Sequence, residues 1–130
     1  MTINHISVWA TPSKLPALRA FYRTILAPIG FKELIVAFNE TQIAYGSDYP
    51  YFWLKALPEG KSTLPGHVAF DAPTVDEFHR LTLEHGGRDN GPPGIREEMS
   101  LYPYYTAFTY DIEGNNIEAV CAPRERRTDR

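Results

Sequence analysis

The chain has 130 residues, 43% apolar and 22% charged, with a formal net charge of −3. That is the size and composition of one soluble globular domain able to bury a core unaided; the mild negative charge argues against a nucleic-acid surface, and no run approaches the roughly 20 apolar residues of a membrane span. A single cysteine, Cys121, excludes an internal disulfide, and Met1–His5 has neither the basic start nor the apolar run of a signal peptide, so a cytoplasmic protein is expected.

In chain order the sequence reads as two copies of one unit. Asn4-His5-Ile6-Ser7-Val8-Trp9-Ala10 and Gly66-His67-Val68-Ala69-Phe70-Asp71-Ala72 are both strand-like alternations with histidine second, and each leads into an amphipathic helix. The first helix is expected to start at Ser13 as N-cap, with Pro16 in its first turn and an apolar face of Leu15, Leu18, Phe21, Tyr22 and Ile25. Pro28 and Gly30 close it. Strands follow at Lys32–Phe38, Gln42–Tyr45 and Tyr51–Leu57, then a linker over 58–65. The second helix starts at Thr74, with Glu77 completing a capping box, and ends at Gly86-Gly87. Its stripe is Val75, Phe78 and Leu81, while His79 and His85 read as surface or helix-end residues. A short strand around Gly87–Asn90, a long loop from Asn90 to Leu101, and strands at Tyr105–Asp111 and Ile117–Cys121 complete the second unit. Module one is thus about 1–57 and module two about 66–122. The arginine-rich segment 123–130, interrupted by Glu125 and Asp129, reads as a solvated tail.

Strand periodicity places the chemistry. Residues i and i+2 share a face, so His5, Ser7 and Trp9 point together, as do His67, Ala69 and Asp71, and Glu118 and Val120. All three sets oppose the apolar residues that face the helices. A glutamate inside an apolar strand needs a partner or a cation, and two imidazoles with one carboxylate make an open facial triad. Taken singly, His5 and His67 also read as ordinary strand histidines, and Glu118 as the partner of an arginine such as Arg96. The duplicated position of the two histidines favours a metal site.

The residues His5-Ile6-Ser7-Val8, Leu18-Arg19-Ala20-Phe21-Tyr22, Gly66-His67-Val68-Ala69-Phe70 and Asp111-Ile112-Glu113-Gly114-Asn115-Asn116-Ile117-Glu118 resemble the glyoxalase / bleomycin-resistance / extradiol-dioxygenase (vicinal oxygen chelate) superfamily. The resemblance covers about residues 3–122. It implies an α+β fold of two βαβββ modules whose sheets form a cup around one divalent ion (Fe, Mn, Zn, Ni or Co), held by His5, His67 and Glu118. Glyoxalases place a fourth ligand on the last strand of module one. Here Trp53 or its neighbour stands there and cannot bind a metal, so the ligand set looks more like that of extradiol dioxygenases and fosfomycin-resistance transferases.

The resemblance further implies a small-molecule substrate and a homodimer in which His5 of one chain meets His67 and Glu118 of the other. Lyase or isomerase chemistry at a chelated carbonyl or diol is the preferred reading. An Fe(II) dioxygenase and a metal-free binding protein are the alternatives. Besides Glu118, Tyr102 is a candidate catalytic residue, with Glu97 and Glu98 as further bases. Trp9, Trp53, Arg96 and Tyr104 are candidate substrate-binding residues, the tryptophans reading equally well as cup wall.

Overall fold

The computed structural model describes residues 2–98 and 100–121, so the tail expected at 123–130 lies outside the described residues. The elements run β1 (Ile6–Ala10), α1 (Leu15–Leu26), β2 (Lys32–Ala37), β3 (Gln42–Gly46), β4 (Phe52–Ala56), β5 (His67–Asp71), α2 (Val75–Glu84), β6 (Arg88–Arg96), β7 (Tyr104–Tyr110) and β8 (Asn116–Cys121). They form two four-stranded sheets of matching order, β1-β4-β3-β2 and β5-β8-β7-β6. In each, the first strand pairs in parallel with the last and the other pairs are antiparallel. This is the βαβββ unit twice, as the sequence led us to expect. Among the described residues no helix is long and apolar enough to cross a membrane.

Alternation along the strands gives each sheet one face for the helices and one open face. Phe52 and Leu54 of β4 and Ile117 and Ala119 of β8 are buried with Leu18, Phe21, Tyr22 and Ile25 of α1 and Val75 and Phe78 of α2 in a single apolar cluster. Phe52 and Phe70 meet edge to face at 5.2 Å, joining the cores of the two modules.

Four local expectations are corrected. Ser13 is not an N-cap: a 3-10 turn at Pro12–Lys14 leads into α1, and no side chain caps it. The preceding Thr11 is fixed instead by Glu113, whose carboxylate accepts from its backbone N–H at 2.6 Å and its hydroxyl at 2.9 Å. Thr74 precedes α2 without a side-chain cap, so the capping box does not close; Asp76 and Glu77 still place negative charge in the first turn. The strand expected at 87–90 extends to Arg96 through Pro92-Pro93. β6 lies at a sheet edge, where a proline removes no ladder bond, and two register shifts absorb the irregularity. Finally, His79 is buried rather than on the surface, with Nδ1 3.2 Å from Thr109 Oγ1 and Nε2 3.1 Å from Asp89 Oδ1.

The turn between β7 and β8 fastens the modules together. Asp111 accepts from the backbone N–H groups of Glu113 and Asn115, from Asn115 Nδ2 and from the hydroxyl of Tyr22 on α1. Asn115 Oδ1 accepts from Gly66 N, at the entry to β5, at 2.7 Å. With Glu113 on Thr11 and Lys14, the Asp-x-Glu-Gly-Asn segment touches three residues of module one and the start of module two. That work explains the residue types without any role in chemistry.

Candidate metal centre

Register brings His67 and Glu118 together. β5 and β8 pair so that His67 lies opposite Asn116 and Ala69 opposite Glu118, which leaves His67 and Glu118 diagonal neighbours on the open face. His67 Nε2 stands 3.1 Å from Glu118 Oε1. Glu118 is buried, while about half of the His67 side chain is exposed.

The hydrogen bonds around the pair fix its polarity. His67 Nδ1 lies 2.9 Å from the carbonyl oxygen of Asn116. The carbonyl and the Glu118 carboxylate both only accept, so a neutral ring with its hydrogen on Nδ1 presents its Nε2 lone pair to Glu118. The Thr106 hydroxyl sits 2.6 Å from Glu118 Oε2 and 2.8 Å from the Ala119 carbonyl, orienting the carboxylate from below. In that tautomer two acceptors face each other at 3.1 Å, a contact that a proton or a metal cation between them would satisfy.

The surrounding wall comes from β6 and β7. A cavity of about 510 Å³ is lined by Ile95, Arg96, Glu97, Glu98, Tyr104 and Phe108. Phe108 lies opposite Glu118 across the β7–β8 ladder, and its ring stacks on His67 with centroids 6.3 Å apart. The Arg96 guanidinium carbon is 5.1 Å from the centre of the Phe108 ring. Tyr104 is buried. Loss of water raises its hydroxyl pKa, with the negative charge of Glu118 adding to the effect, so it is a neutral hydrogen-bond donor at physiological pH. Glu97 and Glu98 are exposed at the rim, and Tyr102 is half-buried in the bend before β7, away from the cavity lining.

His5 is elsewhere. It is exposed just before β1, its Nδ1 2.7 Å from Asn4 Oδ1 and its ring edge-on to Trp53 at 6.4 Å. Among the described residues no group of three or more His, Cys, Asp or Glu side chains is close enough to hold a metal ion. One chain thus unites His67 and Glu118 but not His5. The β1–β4 register puts Trp53 opposite Ser7 as the β5–β8 register puts Glu118 opposite Ala69. Trp53 itself, rather than a neighbour, is the module-one counterpart of Glu118. Lys55 Nζ lies 5.5 Å over the Trp53 ring, and Trp9 is exposed on the same face of β1. Thr106, Phe108 and Asn116 were not singled out from the sequence. Pairing β7 with β8 outward from the Gly114 turn puts Thr106 and Phe108 on the face of Glu118, and that was the available signal.

No family model and no curated protein matches this sequence. Solved structures do. A glyoxalase/bleomycin resistance protein from Albidiferax ferrireducens is 25% identical with a TM-score of 0.75, over 90% of this chain and 96% of that one. The chain belongs to the vicinal oxygen chelate superfamily. More distant superfamily structures share the fold over similar spans. Lactoylglutathione lyase from Agrobacterium tumefaciens is 17% identical with a TM-score of 0.65, over 92% of both chains. The fosfomycin resistance protein FosX from Listeria monocytogenes, solved as a mutant with Mn(II) and a dihydroxypropylphosphonic acid, is 16% identical with a TM-score of 0.67, over 95% of this chain and 92% of that one.

Proposed function

We propose that this vicinal-oxygen-chelate chain is a metal-dependent enzyme acting on a small oxygenated molecule. One divalent ion is held by His67 and Glu118 of one chain and by His5 of a second copy. The observation that carries the reading is the 3.1 Å approach of His67 Nε2 to Glu118 Oε1, with Nδ1 committed to Asn116 and Oε2 to Thr106. Both outer atoms of the pair are occupied, and both inner atoms offer lone pairs to one point on the open face, which is how a ligand pair is held by its outer contacts. His5 is exposed and apart from that point, so a partner chain is its source of a third ligand, in the isologous manner of a two-fold dimer.

Two imidazoles and a carboxylate suit Fe, Mn, Zn, Ni or Co. Such an ion supplies a Lewis acid with open positions for two neighbouring substrate oxygens and stabilises negative charge as it develops on them. The chain's own residues do the rest. Thr106 holds Glu118 in place. Tyr104 offers a proton donor toward a substrate oxygen, and Glu97 or Glu98 takes up a proton from a carbon next to the chelated oxygen. Phe108, with Trp9 and Trp53 of the second copy, walls the cavity against water. Lyase or isomerase chemistry at a chelated carbonyl or diol is the reaction type we assign to this arrangement.

Catechol, with two adjacent oxygens, and phenol, with one, test the reading as probes against protein reconstituted with Mn(II). Catechol should bind the Mn(II) form and neither the metal-free protein nor His67→Ala, and phenol should bind none of them. Equal catechol affinity with and without metal would overturn the proposal.

A further inference from the structure

We propose that Gly91, Phe108 and Arg96 are positioning residues for His67, forming a buttress that fixes the plane and tautomer of its imidazole; the consequence for metal binding rests on the function proposed above, the geometry does not. His67 is half exposed, and only one of its ring nitrogens, Nδ1, is held by the backbone. That bond and the in-plane approach of Nε2 to Glu118 leave both faces of the exposed ring without polar support. The face of the imidazole is covered instead by Phe108, at 6.3 Å and an interplanar angle of 30°.

Phe108 is itself held. Arg96 lies against its ring, and the guanidinium reaches three backbone carbonyls: Thr106 at 2.6 Å, Pro92 at 2.9 Å and Gly94 at 3.4 Å. Those of Pro92 and Gly94 belong to the irregular stretch of β6, so the bulge that Pro92-Pro93 imposes is what presents acceptors to Arg96. Among the described residues Arg96 has no carboxylate within ion-pair distance, and these carbonyls are its fixed partners. Gly91 lies opposite Phe108 in the ladder. A Cβ there would come within 3.0 Å of Phe108 Cδ2 and 3.1 Å of Arg96 Nη2, so the absence of a side chain is what lets ring and guanidinium settle. The row Gly91–Phe108–Glu118–Ala69 runs straight across the sheet beneath the candidate centre. The Gly-Pro-Pro-Gly segment of the edge strand thereby reaches the His67 ring through two side-chain contacts.

The test reads the ring directly, in metal-free protein at alkaline pH where imidazoles are neutral. Long-range proton–nitrogen spectra of wild type should show His67 held as a single tautomer. Phe108→Leu and Arg96→Met should shift its nitrogen signals toward the average of the two tautomers, and Phe108→Tyr, which keeps the ring, should retain the wild-type pattern. Both positions are half-buried on the open face, so the variants keep the core intact. In Mn(II) competition with a chelator, Phe108→Leu should bind about tenfold more weakly at unchanged stoichiometry. An unaltered His67 spectrum in both Phe108→Leu and Arg96→Met would overturn the inference. Altered spectra in a protein that takes up no Mn(II) would leave the buttress standing and remove the metal reading instead.

Discussion

Trp53 occupies in module one the register position that Glu118 holds in module two: each faces the middle of its own module's first strand, Ser7 and Ala69 respectively. Each also lies beside the histidine that precedes or opens that strand, His5 for Trp53 and His67 for Glu118. Both halves carry a histidine at the matching position, and only the second carries a carboxylate across from its strand. If His5 of a second copy completes the centre, Trp53→Glu brings a fourth ligand, a second carboxylate, to it. Metal affinity should then rise by about tenfold, roughly 1.4 kcal/mol, with the metal-to-chain ratio unchanged. Chelator competition reads the affinity. No change would separate His5 from the centre.

Thr106 is the test of how Glu118 is held. Its hydroxyl lies between Oε2 and the Ala119 carbonyl in a buried setting. Thr106→Val keeps the shape and removes the donor. Metal affinity should fall by about tenfold, and stability by about 1–2 kcal/mol because a buried carboxylate oxygen loses its partner. Wild-type affinity in this variant would mean that Glu118 needs no orienting.

The Asp111 clamp governs stability rather than chemistry. Asp111→Ala strands the buried Tyr22 hydroxyl, which burial and the neighbouring Asp111 charge keep protonated, along with the amide of Asn115. It should cost about 3–5 kcal/mol. Tyr22→Phe leaves Asp111 its three other donors and should cost about 1 kcal/mol. Urea unfolding of both variants checks the order, and equal losses would contradict the clamp.

Acid sensitivity should trace partly to Glu33. Arg19 donates to both of its carboxylate oxygens, at 2.8 and 2.9 Å, and Arg23 adds a bond at 3.1 Å. The hydrogen bonds from Arg19 are the main reason its pKa lies below the usual glutamate value. A pKa depressed in the folded state contributes stability that is fully present above the unfolded value, about 4.3, and is lost as pH falls through the folded value. Glu33→Gln should therefore be less stable than wild type by about 1 kcal/mol at neutral pH, with the gap closing as acid protonates Glu33 in the folded protein. Denaturation midpoints at neutral and acid pH decide it, and a gap that persists in acid would contradict the assignment.

Much of the fold was legible because its signals are local. The matched His5 and His67 segments, the 3.6-residue stripes of Leu18–Ile25 and Val75–Leu81, and the Glu113–Asn116 turn each reflect spacing along a single stretch of chain. The sequence alone shortens β6 because Pro92-Pro93 reads as a loop unless the strand lies on an edge, and edge position is a property of the assembled sheet. The burial of His79 is not legible in the helix pattern because its partners, Asp89 and Thr109, come from β6 and β7 and make a buried imidazole tolerable only after the sheet has formed. The pairing of His67 with Glu118 was readable from strand alternation plus parallel register. The support from Thr106, Phe108 and Arg96 was not, since it depends on two further strands and a bulge.

The account rests on a metal at His67 and Glu118, and bound metal measured by elemental analysis tests that most directly, on untagged protein prepared without chelator, beside His67→Ala. Wild type should hold close to one equivalent of a divalent transition metal per chain, lost in the variant while the fold is retained. No metal in either protein, even after reconstitution with Fe, Mn, Zn, Ni and Co in turn, would contradict it and leave the open face of module two as a metal-free binding surface.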